Sequence, residues 1–195
     1  HGLEGSSDSH YARGLLAALV QCGWRGVVMH FRGCSGQHNR LARRYCAADT
    51  ADIAYVARWL RQQEPNTPLA AVGYSLGGNA LLKWLGEAGA DLPLCAAAAV
   101  SVPFLLDATA QRLGQGFSQL YQLHLLRELK RNYRDKFHHR SDGPIPMAQL
   151  AELHDFYAFD DCITAPLHGF ADARDYYARA SCRPFLRQIA IPTLI

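Results

Sequence analysis

The sequence predicts an α/β protein with a doubly wound, mostly parallel sheet and one long helical insertion. Three observations carry that prediction. Short apolar runs at 25–31, 69–73 and 94–102 alternate with segments whose apolar residues recur every three or four positions. Between one run and one such segment the chain turns sharply through Gly73-Tyr74-Ser75-Leu76-Gly77. From Pro103 to Ser181 the alternation stops, and strand character returns only near Ile189. Residues 1–102 and 182–195 are therefore expected to form the sheet core, and 103–181 a helical cap inserted into it.

Taken in order, Ser6-Ser7-Asp8-Ser9 is a cluster of helix-capping residues. Tyr11, Leu15, Leu19 and Cys22 follow at helical spacing, with Gly23 as a stop. Arg25 to Phe31 reads as a strand and Arg32–Gly36 as a loop. Thr50 can cap a second helix carrying Ile53, Val56 and Leu60 on one face, with Pro65 beyond its end. Leu69 onward is a strand, Leu81, Leu82 and Leu85 mark a helix, and 94–102 is a buried parallel strand. In the insertion, Phe117, Leu120, Leu126, Leu129, Tyr133 and Phe137 define an apolar helical face, which Gly143-Pro144-Ile145-Pro146 interrupts. Ile191–Ile195 opens another strand. Since the chain starts at His1 and stops inside that strand, it reads as a piece of a longer protein.

Composition narrows the function. A chain of 195 residues, 49% hydrophobic and 19% charged, has enough apolar surface for a core. A net charge of +3 is too small to imply nucleic acid as a partner, and no apolar run reaches the roughly 18 residues that span a bilayer. Cys22, Cys34, Cys46, Cys95, Cys162 and Cys182 show neither a C-x-x-C pair nor metal-ligand spacing, and read as reduced thiols of a cytoplasmic protein. No phosphate loop or dinucleotide fingerprint is present, and neither a cofactor nor a metal is expected.

The chemistry concentrates at Ser75. A serine at the apex of a strand–turn–helix, with Gly73 and Gly77 two residues to either side, is a nucleophile elbow. The strained turn leaves no room for side chains at the flanking positions, and it lifts the hydroxyl to a helix N-terminus. There the macrodipole and a free backbone N–H can stabilise an oxyanion. Sheets of this kind place their sites beyond the carboxyl ends of the strands, so the loops His1–Gly5 and Arg32–Gly36 should converge on the elbow.

His1-Gly2-Leu3-Glu4-Gly5, Phe31-Arg32-Gly33-Cys34-Ser35-Gly36 and Gly73-Tyr74-Ser75-Leu76-Gly77-Gly78-Asn79 occur at compatible spacing, followed by Asp161–Phe170 and Tyr176–Ser181. Together they resemble the YheT-like branch of the α/β-hydrolases along essentially the whole chain. The resemblance implies an α/β-hydrolase fold with a helical cap and a Ser-Asp-His triad in that order. Two or three strands would precede His1. Ile191–Ile195 would be the strand leading to the triad Asp, with that Asp and the triad His beyond residue 195. It further implies oxyanion donors at the N–H groups of Leu3 and Leu76, with His1, Gly2 and Gly5 shaping the loop.

Other charged and imidazole groups have structural readings. His1 orders the oxyanion loop, and His30 is a satisfied imidazole within a strand. His138-His139 lies among Lys130, Arg131, Arg134, Lys136 and Arg140, a solvated basic face whose sharper alternative is a contact for anionic lipid headgroups at a membrane surface. Asp160-Asp161, Asp49 and Asp52 read as turn and capping residues, and Arg32 as either a brace of the loop or a structural ion pair. The expected activity is hydrolysis of small-molecule carboxylic esters with a short or medium acyl chain, or of lipids, through a Ser75 acyl-enzyme. An acyltransferase using an alcohol acceptor is one alternative, and a non-catalytic binding module is another.

Overall fold

A computed structural model of the chain describes residues 1–195. Strands β1 (Ala70–Tyr74), β2 (Ala96–Val100) and β3 (Thr193–Leu194) form one parallel sheet in the order β1-β2-β3. Register runs from Ala70 opposite Ala96 to Tyr74 opposite Val100, so the carboxyl ends of β1 and β2 lie level. Helix α3 (Leu76–Ala88) links these two strands, and every residue from Leu76 to Gly86 is buried. Such a helix must be apolar all round or have its polar groups satisfied. Asn79 meets that condition: its amide donates to the Ala47 (3.1 Å) and Ala180 (2.8 Å) carbonyls and accepts from the Cys182 N–H (2.9 Å). The buried Lys83 is paired with Glu87 at 2.6 Å and lies over the Phe185 ring.

Helix α1 (His10–Gln21) lies where the spacing predicts it, and so does α2 (Thr50–Gln63). Ala54 and Ala57 of α2 pack with Leu81, Leu82, Leu85, Ala97 and Ala99 into one core cluster. The capping readings at α2 require correction. Asp49, not Thr50, precedes the helix, and its carboxylate takes the Cys46 N–H at 3.0 Å and the Arg43 guanidinium at 2.7 Å. Asp52 forms a two-pronged ion pair with Arg32, both contacts at 2.6 Å, which settles Arg32 as structural.

The expected strand at 25–31 does not form one. Residues 24–31 pair with no strand, and Trp24 and Val27 are exposed, as is Val72 of β1. A β ladder needs a neighbour, and no strand of this chain lies alongside the segment.

Between β2 and β3 the chain is helical: α4 (Leu106–Leu113), α5 (Ser118–Phe137), α6 (Phe156–Phe159), α7 (Ala165–His168) and α8 (Ala173–Ala180). Leu126, Leu129, Tyr133 and Phe137 of α5 are buried against Leu150, Leu153, Phe156, Phe159 and Ile163. Phe117 and Leu120 depart from the predicted apolar face. They are 94% and 69% exposed, because the packed stripe of α5 begins only at its second turn with Gln122 and Leu126. Lys136 also leaves the predicted basic face. It is buried, donates to Asn39 Oδ1 at 2.7 Å, and is pulled down to about 8, chiefly by burial. His138 and His139 are exposed, as expected of a solvated face. Tyr176, Tyr177 and Ala180 of α8 pack with Leu76, Ala80, Phe31 and Tyr45, which ties the helical segment to the elbow helix. All six cysteines are free thiols, and no helix is long and apolar enough to cross a membrane.

Candidate active site

Ser75 occupies the turn between β1 and α3 with φ 51° and ψ −120°, a conformation that costs a non-glycine residue on the order of 1–3 kcal/mol. Its N–H is anchored on the Val100 carbonyl of β2 at 2.8 Å. The flanking glycines are steric requirements. A Cβ on Gly73 would stand 2.7 Å from the Gly77 oxygen and the Gly78 Cα, and one on Gly77 would overlap the His1 carbonyl. A Cβ on Gly78 would lie 2.7 Å from Val102.

The His1–Gly5 loop packs directly against this turn, with the Cβ position of Gly2 only 3.3 Å from Ser75 Cβ. Its amide groups can be accounted for one by one. Gly2 N–H donates to Tyr11 Oη (2.8 Å), Glu4 N–H to Tyr45 Oη (2.8 Å) and Gly5 N–H to the Gly2 carbonyl (3.0 Å). The Leu3 N–H has no partner within the protein, and neither has that of Leu76, the first residue of α3. These are the two amides that the sequence marks as oxyanion donors. His1 is fully engaged: Nε2 accepts the Phe31 N–H at 3.0 Å and Nδ1 lies 2.8 Å from the Gly2 carbonyl, which fixes the Nδ1–H tautomer. His30 Nε2 accepts the Ser7 N–H at 3.0 Å. No histidine of the chain hydrogen-bonds the Ser75 hydroxyl.

Ser75, Leu3 and Leu76 open onto a cavity of about 460 Å³ between the carboxyl end of the sheet and the helical segment. Leu106, Leu113, Leu125, Leu129, Phe156 and Ile163 make most of it apolar. Every non-glycine residue with positive φ in the chain, Glu4, Ser75 and Ser101, lines this one cavity. Such concentration of backbone strain is a feature of functional sites. A single π-helical turn, Asp160–Thr164, also faces it.

Motif reading missed two titratable groups of the wall. Asp160 is not a capping residue remote from the elbow. The residue lines the cavity, and its carboxyl accepts from Thr164 (2.6 Å) and Tyr177 (2.8 Å) and is pushed up to about 6 by burial. Asp161 does have a turn role, accepting the Ala173 N–H at 2.9 Å. His168, on the same wall, is pushed down to about 4 by burial and by Arg43, Arg32, Arg44 and Lys136. It stands near Cys46 and Asp49 with ligand atoms within 4.8 Å of one another. A metal ion does not fit that trio. Both Asp49 oxygens are taken by Arg43 and the Cys46 N–H, the surroundings are cationic, and burial drives the Cys46 thiol up to about 12. Asp160 stands just outside the Asp161–Phe170 stretch and His168 inside it, but that stretch gives neither a role; only the fold brings both to the cavity that Ser75 lines.

This geometry agrees with comparison to known proteins. The α/β-hydrolase fold family matches residues 1–195, and the chain belongs to that family. It is 50% identical over 196 residues to YheT of Escherichia coli (strain K12), a protein named as an esterase, with 100% of this chain and 58% of YheT covered. It is 31% identical to human phospholipase ABHD3, with 99% and 47% covered. It is also 28% identical to the medium-chain fatty acid ethyl ester synthase/esterase 2 of Saccharomyces cerevisiae, with 100% and 48% covered. The chain thus spans roughly half the length of these relatives. No solved structure matches it at a significant level.

Proposed function

We propose that the protein is a serine hydrolase of carboxylic esters, with a lipophilic acyl group held in the cavity. The single observation that carries this reading is the strained Ser75, facing an apolar cavity beside two unpartnered amides, those of Leu3 and Leu76. Ser75 Oγ attacks the ester carbonyl, and the alkoxide that develops on the carbonyl oxygen is held by those N–H groups. The alcohol leaves, and water then releases the acid. Removing the serine proton requires a histidine near its ordinary pKa. His168 is too weak a base, and His1 has both nitrogens engaged. The base and its orienting carboxylate are therefore assigned to the remainder of the whole protein.

Residues 103–181 act in this reading as a cap. They cover the sheet's carboxyl end with Leu113, Leu125, Leu129 and Ile163, and they limit access of water to the acyl-enzyme. Names among the relatives support both the ester class and a medium acyl chain. Transfer to an alcohol uses the same acyl-enzyme and differs only in which acceptor arrives. Product partition against added ethanol separates the two.

The test is hydrolysis of p-nitrophenyl esters, from acetate to long acyl chains, by the full-length protein and its Ser75→Ala variant. The expected result is a rate maximum at medium chain length and a loss of at least about 10³-fold in the variant. Equal rates for the two proteins across the series would overturn the hydrolase reading in favour of a binding role.

A further inference from the structure

Glu4 is the residue after the proposed oxyanion donor, and nothing in the chemistry of ester hydrolysis calls for a carboxylate there. It sits at φ 52°, in the left-handed region where a side chain other than glycine, asparagine or aspartate is uncommon. Its side chain is only 3% exposed, although it lines the cavity wall. Three side chains hold it. Tyr45 Oη receives the Glu4 N–H at 2.8 Å and donates its own proton to Glu4 Oε1 at 2.7 Å, gripping backbone and side chain together. Arg44, itself 7% exposed, donates to both carboxylate oxygens at 3.0 and 3.1 Å. Asn132 donates its amide to Oε2 from α5. Three separate parts of the fold therefore meet on one carboxylate: the oxyanion loop, the 44–45 segment and the helical segment.

We infer that Glu4 is a positioning residue: its clamped carboxylate holds the His1–Gly5 loop with the Leu3 N–H aimed at Ser75, and Asn132 makes that aim depend on the seating of α5. The inference rests on the serine-hydrolase reading above. A strained residue persists only where its surroundings over-determine it. Gly2 ψ and Leu3 φ set the direction of the Leu3 amide, and the chain is tied on both sides of it, by the Gly2 N–H on Tyr11 and by the clamped Glu4 on Tyr45. The Tyr45 bond removes the Glu4 N–H from competition, and the turn bond removes that of Gly5. Only the Leu3 amide is left for a ligand. The oxyanion site would then be complete when the cap is closed on the sheet and loosened when α5 moves away. That arrangement discourages Ser75 chemistry in an open, wet site.

The experiment uses the full-length protein as wild type, Glu4→Gln, Asn132→Ala and Ser75→Ala. Each is assayed on a medium-chain p-nitrophenyl ester and titrated with a trifluoromethyl ketone of the same chain length, whose adduct with Ser75 carries an oxyanion. Glu4→Gln keeps the shape and removes the charge that holds Arg44 and Asn132. Expected for it is a fall in kcat of about 10- to 100-fold with KM within about twofold of wild type, because only the transition state uses the misplaced amide. Affinity for the ketone should fall by the same factor, whereas affinity for the free fatty acid product is unchanged. Asn132→Ala should show a smaller loss of the same pattern, about 3- to 10-fold. If Glu4→Gln and Asn132→Ala melt earlier but keep wild-type kcat and ketone affinity while folded, the network is merely structural and the inference falls. If wild type and Ser75→Ala are alike, the hydrolase reading itself fails, and this inference fails with it.

Discussion

On the sheet side the cavity is bounded by backbone; on the helical side it is bounded by side chains. The turn around Ser75 closes on itself at Gly73 and meets the His1–Gly5 loop through Gly2 and Gly77, with no space for a Cβ on Gly73 or Gly77, and both segments present N–H groups to the site. The segment 103–181 presents leucines, aromatics and two perturbed titratable groups, Asp160 and His168, spread over several helices. Position is therefore critical on the first wall and volume on the second. Substitutions should behave accordingly: abrupt losses on the sheet side, graded changes in selectivity on the helical side.

The abrupt case is Gly77→Ala. Its methyl would overlap the His1 carbonyl, so the loop must retreat and carry the Leu3 amide with it. Ester turnover by the full-length protein should drop at least about 100-fold, with stability lowered by about 1–3 kcal/mol in urea unfolding. A near-normal rate would show that the loop is not held where the structure has it.

Asn79→Ala probes the joint between the two walls, since this side chain binds Ala47, Ala180 and Cys182 together. Leaving those buried groups unpaired should cost roughly 3 kcal/mol, visible as a lower midpoint in denaturant. A cost below about 1 kcal/mol would mean that the joint is carried by the apolar contacts of α8 alone.

Between about pH 4 and 6.5 the helical wall should show two opposed linkages. Burial raises Asp160 from 3.8 to about 6, so its contribution is complete below the unfolded value and is lost as pH rises through 6. His168 is lowered from 6.5 to about 4, so its contribution is complete above 6.5 and is lost as pH falls through 4. The pair nearly cancels in the wild type. Asp160→Asn should therefore lose stability on acidification from pH 7 to 4 by about 2 kcal/mol more than wild type, and His168→Gln should lose less than wild type over the same interval. Parallel pH profiles for all three proteins would contradict the assignment.

The gentlest expected change is Leu125→Trp, which fills cavity volume on the helical wall without touching the elbow. It should lower kcat/KM for long acyl esters by about 10-fold and leave acetate within about twofold, a discrimination of the size that hydrophobic pockets supply.

The same contrast explains what could be read from the sequence. The turn around Ser75 is legible because its backbone geometry demands glycine at fixed offsets, where Gly73 and Gly77 stand, and the His1–Gly5 loop is legible from the family resemblance. The helical character of 103–181 is legible too, from the spacing of Leu126, Leu129, Tyr133 and Phe137. What faces the cavity was not, because it depends on how helices pack. Asp160 resembles a turn residue, the stretch that holds His168 gives it no role, and Phe117 fits an apolar stripe yet is exposed. The run 25–31 has strand composition but lacks the neighbour a ladder requires, a condition its own residues cannot reveal. Arg32 and Asp52 are twenty positions apart, and their pairing follows from the register of a loop against a helix.

In the hydrolase reading, Ser75 is the activated nucleophile of this cavity. The most direct measurement is peptide mass spectrometry of the full-length protein after reaction with a fluorophosphonate carrying a medium alkyl chain. One stoichiometric adduct is expected on Ser75, absent in Ser75→Ala and slowed by prior addition of the trifluoromethyl ketone. No adduct, or one placed on the neighbouring strained Ser101 instead, would contradict it.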